Sequence, residues 1–238
     1  KDENVSEVLV KSSDSEGAIK FKVDYLISSM PIKHLVEGIK PKLEEKAYNI
    51  GSSLEYRDFL IVGVLLKDLK IKENGKSISD NWLYIQDQGY EMGRVQLFHN
   101  WSKEMLADPN TYWIGAEYFC NEGDDIWSLS ENEMAYLAIE ELSRIGIIDK
   151  ADVLDQVVVK MPKAYPSYIG TYSQFKEVRK CLDKIENLFL IGRNGKHRYN
   201  NQDHSMLSAK EAVKNILSSN KEKGNIWKVN TEQEYQES

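Results

Sequence analysis

The sequence predicts a mixed α/β chain, and three observations predict it. A fully apolar run, Leu188-Phe189-Leu190-Ile191, stops at Gly192 and is followed by a polar loop and a helix-patterned stretch. Four strand candidates, Phe59 to Leu66, Trp82 to Gln86, Arg94 to His99 and Tyr112 to Cys120, are separated by Gly, Asn, Asp and Pro turns, the pattern of an antiparallel sheet. Ser130-Glu131-Asn132-Glu133 is a capping box, and Met134, Leu137, Ala138, Leu142 and Ile145 follow it at helical spacing.

The other elements fall around these. Val5 to Lys11 alternates into a turn at Ser13 to Gly17, and Ala18 to Val23 returns, which predicts a hairpin. A short buried strand runs through Tyr25 to Met30, and Pro31 stops it because proline cannot donate to a ladder. Short helices are expected at Ile32 to Ile39 and Pro41 to Ala47. Gly146 ends the capped helix. Leu154 to Met161 reads as a strand and Phe175 to Ile185 as a helix. The helix from Asp203 to Leu217 carries Met206, Leu207, Val213, Ile216 and Leu217 on its expected buried side. Beyond Ser218 the chain is polar, with Ile226, Trp227, Val229 and Tyr235 as its anchors.

Bulk properties exclude several classes. The 238 residues suffice for one large or two small domains. With 31 Lys+Arg against 38 Asp+Glu the net charge is -7, which disfavours a sequence-independent grip on nucleic acid. A few local arginines can still bind a phosphate. The two cysteines, Cys120 and Cys181, lie far apart and outside any CxxC, so neither a disulfide scaffold nor a metal site is expected. No apolar run reaches the ~20 residues of a membrane span. The polar opening Lys1-Asp2-Glu3-Asn4 has no signal-peptide core and no initiator Met. The expectation is a cytoplasmic chain that starts partway through a longer protein.

The chemistry concentrates between Gly192 and Met206. A strand delivering its end to a glycine lets a ligand approach the backbone. A helix beginning near Asp203 then offers unpaired N–H groups and a positive dipole end, together an anion site. Arg193, Lys196, His197 and Arg198 add basic side chains. The same unit also occurs in α/β proteins with no ligand there, with Asn201 or Asp203 serving as an N-cap.

Asn187 to Arg193, followed by His197-Arg198-Tyr199-Asn200-Asn201-Gln202-Asp203-His204-Ser205-Met206, resembles the last flavin-binding segment of the amine-oxidase and UDP-galactopyranose mutase superfamily, closest to its mutase-like branch. Tyr25 to Leu35, with Ser28-Ser29-Met30-Pro31, is similar to that superfamily's strand-to-proline junction, and Glu117 to Trp127 looks like its substrate-domain pattern. These pieces span about Val5 to Leu217. The superfamily's Gly-x-Gly-x-x-Gly is absent from this sequence.

The resemblance implies the C-terminal portion of a doubly wound FAD-binding domain plus a mostly antiparallel substrate domain. Residues 1–50 and 166–217 would belong to the first, 51–165 to the second, and 218–238 to a polar tail. It implies FAD as the cofactor of the full-length parent, held here by Gly192, Arg193, Asn201, Gln202, Asp203, His204, Ser205 and Met206, with the pyrophosphate half supplied by a missing N-terminal Rossmann portion. Alone, this piece would bind FAD poorly or not at all and be inactive. His204 is a candidate proton donor or a packed capping histidine. Arg94, Tyr165, Tyr168, Arg198 and Tyr199 are candidates to hold a substrate diphosphate, against solvated or core roles. Trp82, Trp101, Trp113 and Trp127 are candidates to line a pocket or fill the core. Three functions remain open: a mutase-like enzyme acting on a UDP-sugar through reduced flavin, in cell-surface polysaccharide or lipopolysaccharide biosynthesis; an oxidase or desaturase passing hydride to flavin; and a binding module without catalysis. The sequence does not specify an oligomeric state.

Overall fold

The computed structural model describes residues 4–11 and 17–230. The chain divides into two compact units, one made of the residues up to Tyr56 together with those from Tyr165 onward, the other of Arg57–Ala164.

The first unit opens with a hairpin of β1 (Glu7–Lys11) and β2 (Ala18–Lys22), paired antiparallel from Glu7↔Lys22 to Lys11↔Ala18. Residues 12–16, most of the expected turn, lie outside the described residues. Strand β3 (Leu26–Ser28) leads into α1 (Ile32–Gly38) and α2 (Glu45–Ser52). The second helix lies later than the expected stretch at 41–47. It forms where Ala47, Ile50 and Gly51 are buried, and a Cβ on Gly51 would stand 2.9 Å from Val36 of α1. Packing, not local propensity, sets its position.

The second unit is a five-stranded, mostly antiparallel sheet with a helix on one face. Its strands are β4 (Tyr56–Leu66), the short pair β5 (Lys72–Glu73) and β6 (Lys76–Ser77), β7 (Trp82–Tyr84) and β8 (Arg94–Leu97). A helical turn α3 (Phe98–Trp101) precedes β9 (Tyr112–Cys120), α4 (Asp125–Ser128) and α5 (Glu131–Arg144), and β10 (Val153–Pro166) closes the unit. The order in the large sheet is β10-β4-β9-β8-β7; β5 and β6 pair separately. Strand β8 stops two residues before the expected end, because Phe98 turns to lie against Gly115, where a Cβ would meet its ring at 2.9 Å.

Alternate residues of the sheet build the core. Leu60, Val62, Val64 and Leu66 join Val95, Leu97, Ile114, Ala116 and Tyr118 under Met134, Ala138 and Leu142 of α5. Both halves of the expected capping box form: Glu133 N–H donates to Ser130 Oγ at 3.3 Å, and Ser130 N–H to Glu133 Oε2 at 2.9 Å. The buried Glu141 carboxylate accepts from Glu91 N–H (2.7 Å), Met92 N–H (3.1 Å) and Tyr118 OH (3.0 Å). It therefore satisfies two backbone donors of the loop before β8. Burial, then the Glu141 charge, raises the Tyr118 pKa far above its ordinary value.

The chain then returns to the first unit through α6 (Phe175–Asp183), β11 (Leu188–Leu190), α7 (Gly192–Gly195), α8 (Gln202–Leu217) and α9 (Gly224–Lys228). Strand β11 pairs parallel with β3, Leu188↔Leu26 through Leu190↔Ser28. Leu188 and Leu190 join Ile32, Val36, Ile50, Val178 and Leu182, while Phe189 joins Ala212 and Ile226. Coverage on both faces explains why β11 is apolar at every position, as parallel strands are.

The buried side of α8 differs from the expectation. Ser208, Ala212 and Asn215 are buried, whereas Met206, Leu207, Val213 and Leu217 are exposed. Small residues bring α8 close to β11, and Ser208 Oγ accepts the N–H of Gly192 at 3.0 Å. The segment after Ser218 also folds further than a polar tail would: Ile226 and Trp227 are buried in α9. Tyr235 lies outside the described residues. No helix among the described residues is long and apolar enough to cross a membrane.

Candidate functional site

The site begins where β11 ends. Ile191 N–H donates to Ser28 O at 3.0 Å, the last bond between the two parallel strands. Gly192 then adopts φ +70°, a left-handed conformation that strains other residues. One turn of helix brings Gly195 onto the end of β3, where an added Cβ would lie 2.5 Å from Ser28 O and 3.2 Å from Ser29 Cα. Two glycines thus hold the backbone of α7 against the β3 junction.

The basic loop presents less charge than its composition suggests. Lys196 and His197 are both buried. Lys196 Nζ donates to Val229 O at 2.8 Å, and burial, with Arg198 and Arg179 nearby, brings its pKa down to about 8. His197 Nε2 lies 3.0 Å from Ser167 O, so Nε2 carries the proton. Its ring is packed by Tyr56, Tyr172 and Phe175, and burial lowers its pKa, leaving a neutral structural imidazole. Of the four basic residues read from the sequence, only Arg193 and Arg198 sit in partly exposed positions.

Arg193 belongs to an aromatic cluster. The Tyr165 and Tyr199 rings stack at 6.0 Å and 10°, and the Arg193 guanidinium carbon lies 4.9 Å from the first centroid and 4.6 Å from the second. Arg193 Nε and Nη2 both donate to Asn200 O, at 3.0 and 2.9 Å. Tyr168 OH accepts the N–H of Tyr199 at 2.7 Å. The fold thus brings Tyr165, Tyr168, Arg193, Arg198 and Tyr199 into one unit, with Arg198 N–H bonded to Arg193 O at 2.9 Å.

The start of α8 completes this part. Asn201 occupies the N-cap position without a capping side-chain bond. Gln202, Asp203 and Met206 are exposed, and His204 and Ser205 are partly buried. His204 Nδ1 lies 3.3 Å from Asp203 Oδ1. Two buried polar atoms nearby in sequence or fold, Ser28 Oγ and Asn200 Nδ2, have no hydrogen-bond partner. A buried polar atom left unpaired costs about 1–3 kcal/mol.

The second unit carries a separate polar feature on the sheet face opposite its core. Arg94 sits across from Glu117 on one side and Tyr84 on the other, and Gln96 lies across from Trp82. Glu117 is fully buried; it accepts from Arg94 Nε and from Gln96 Nε2, the latter at 2.5 Å. The guanidinium carbon lies 5.2, 5.8 and 5.7 Å from the Trp82, Tyr84 and Phe119 centroids. Arg94 is therefore neither a solvated strand end nor a loose cation. Trp82 also packs edge-on against Trp101 at 4.8 Å. No cluster of metal-ligating side chains occurs among the described residues.

Some of these roles left no signal in the sequence. Glu117 pairs with Arg94 across two strands whose register is a tertiary fact. Val229 and Asn230 contact the loop from the chain's far end. A strand position facing away from the core was the one available hint at Glu117.

Compared by sequence, the chain matches no protein-family model and no curated protein. Compared by structure, it is similar to a reduced UDP-galactopyranose mutase, with TM-score 0.68 and 20% identity over 89% of this chain and 45% of that one. It is also similar to a protein described as a putative protoporphyrinogen oxidase from Exiguobacterium sp. 255-15, with TM-score 0.55 and 13% identity over 79% of this chain and 39% of that one. The chain spans less than half the length of these structures. Its fold is similar to part of the fold of each of these two structures.

Proposed function

We propose that this chain is the C-terminal part of an FAD-dependent enzyme resembling UDP-galactopyranose mutase, acting on a nucleotide sugar in cell-surface polysaccharide biosynthesis. The observation that carries the reading is the glycine-bounded strand end, with Gly195 pressed on the Ser28 backbone and the open first turn of α8 beyond it. These residues fit the flavin side of FAD. Gly192 allows close backbone approach, and the unpartnered Ser28 Oγ and Asn200 Nδ2 suit a polar ligand.

In this proposal Gly192, Arg193 and residues Asn201 to Met206 hold the flavin half, and the rest of the parent protein supplies the pyrophosphate half. When bound, the flavin supplies the bond-making chemistry of the reaction. The N-terminal N–H groups of α8 stabilise negative charge on the bound ring. His204, beside Asp203, is placed to hold or pass a proton. Tyr165, Tyr168, Arg198 and Tyr199 hold the substrate diphosphate by hydroxyls and charge. Arg94, fixed by Glu117, is a candidate substrate contact of the second unit taken by itself.

The test uses the longer polypeptide encoded with this chain, reduced with dithionite and given UDP-galactopyranose. Furanose product supports the mutase reading. A reduced flavin that forms no product, in an enzyme that transfers hydride from another substrate, establishes the oxidase instead. A protein with no flavin affinity leaves a binding module.

A further inference from the structure

The segment from Lys223 to Asn230 does more than fill a groove. Lys223 Nζ donates to Asp183 O (3.2 Å) and Ile185 O (2.5 Å), and Trp227 Nε1 donates to Asp183 Oδ1 (3.0 Å). These bonds fix α9 to the end of α6. From that anchor the chain reaches the basic loop at two points. Val229 O receives the buried Lys196 ammonium, and Asn230 Nδ2 donates to Tyr199 O at 2.6 Å and to Asn200 Oδ1 at 3.2 Å.

Both acceptors of Asn230 belong to the aromatic–arginine cluster. Tyr199 supplies one of its stacked rings. Asn200 supplies the carbonyl that receives Arg193 Nε and Nη2. A single amide thus ties the strap to the Tyr199 carbonyl and to the Asn200 side chain. Residue identity at 230 is constrained as well. Asn230 adopts φ +57°, a left-handed conformation that asparagine tolerates better than most residues, and glycine shares that freedom without the amide.

We infer that Asn230 is a positioning residue, through which the C-terminal strap sets the Tyr165–Tyr199 pair, with Arg193 packed against it, for an anionic group of diphosphate type. The bonds run in sequence: α6 holds α9, α9 carries Asn230, Asn230 holds Tyr199 and Asn200, and Asn200 holds Arg193. Without the amide, the Tyr199–Asn200 peptide loses its tie on the strap side. The stacked ring and the guanidinium then lose their shared geometry. The choice of ligand rests on the diphosphate reading above; the positioning itself does not.

The experiment compares the chain as it stands with Asn230→Gly and Asn230→Asp, using Lys228→Ala on the exposed side of α9 as a control. Asn230→Gly keeps the backbone conformation but has no amide. Asn230→Asp keeps the size but cannot donate to a carbonyl. Inorganic pyrophosphate binding is measured by calorimetry, tyrosine stacking by near-ultraviolet circular dichroism, and folding by thermal melting. Both variants are expected to bind pyrophosphate about tenfold more weakly, the worth of one hydrogen bond. Both should also lose part of the tyrosine signal, with the melting temperature of Asn230→Gly within about 4 °C of the parent. Lys228→Ala should match the parent in all three. Variants that melt lower yet keep the dichroism and the affinity would make the strap a structural clasp and overturn the inference. If the parent chain itself binds no pyrophosphate, the diphosphate reading fails. The tyrosine signal then decides the positioning alone: reduced in Asn230→Gly it supports the inference, unchanged it refutes it.

Discussion

Replacing Gly195 with alanine is expected to cost on the order of 3 kcal/mol or more of stability, the high end for overpacking a filled site. The reason is what the new methyl group would meet. Its nearest neighbours are Ser28 O at 2.5 Å and Ser29 Cα at 3.2 Å, both backbone. A side chain could rotate away; a strand cannot. Ser28 O also accepts the N–H of Ile191, so a shift of Ser28 pulls on the pairing of β3 with β11. Gly38→Ala and Gly224→Ala are suitable references, since a Cβ at either meets nothing within 4 Å. Urea unfolding of the three variants gives the comparison. A Gly195→Ala protein as stable as its two references would mean that α7 does not press on the β3 junction as described.

The second large effect is a pH dependence carried by Lys196. Its pKa is about 8 in the folded chain against an ordinary 10.5, with burial the main cause and Arg198 and Arg179 adding to it. Between those values the unfolded chain holds a proton that the folded chain has released. Stability from this group therefore rises with pH, by up to about 1.4 kcal/mol per pH unit. Lys223, also depressed by burial, acts in the same direction. Cys120 and Cys181 are raised by burial, so they oppose the rise as pH passes the ordinary thiol value. Tyr56, pushed up to about 12, opposes it at higher pH. The informative quantity is thus the difference between the chain and Lys196→Met, which keeps an unbranched apolar stem. That difference, from urea unfolding at steps from pH 7.5 to 9.5, should grow in favour of the native chain. Parallel curves would show that Lys196 holds its proton in the folded state.

Much of the fold was legible in the sequence because local signals and packing agreed. The Ser130 to Glu133 box, the apolar run at β11 and the long strands β4 and β9 each carry the period their burial requires. The side of α8 was misread for an instructive reason. Hydrophobic spacing pointed to Met206, Val213 and Leu217, but the face that packs is the small one, Ser208 and Ala212, because proximity to β11 limits side-chain size. In the site, the glycines and the helix start could be read, since each has a backbone reason to be where it is. The charges could not. Lys196 and His197 look like surface cations in the sequence, and their burial depends on Val229 and Ser167, which are 33 and 30 residues away. Arg94 was visible as a candidate, while Glu117, which fixes it, became visible only through the register of β8 and β9.

In the proposed function Gly192, Arg193 and the start of α8, from Asn201 to Met206, face a flavin. Amide chemical-shift mapping of the isotope-labelled chain, titrated with FAD to millimolar concentration, tests it without requiring tight binding. Shifts are expected to concentrate at Gly192, Arg193 and the first turn of α8, from Gln202 to Ser205. Shifts confined to other parts of the chain would contradict it.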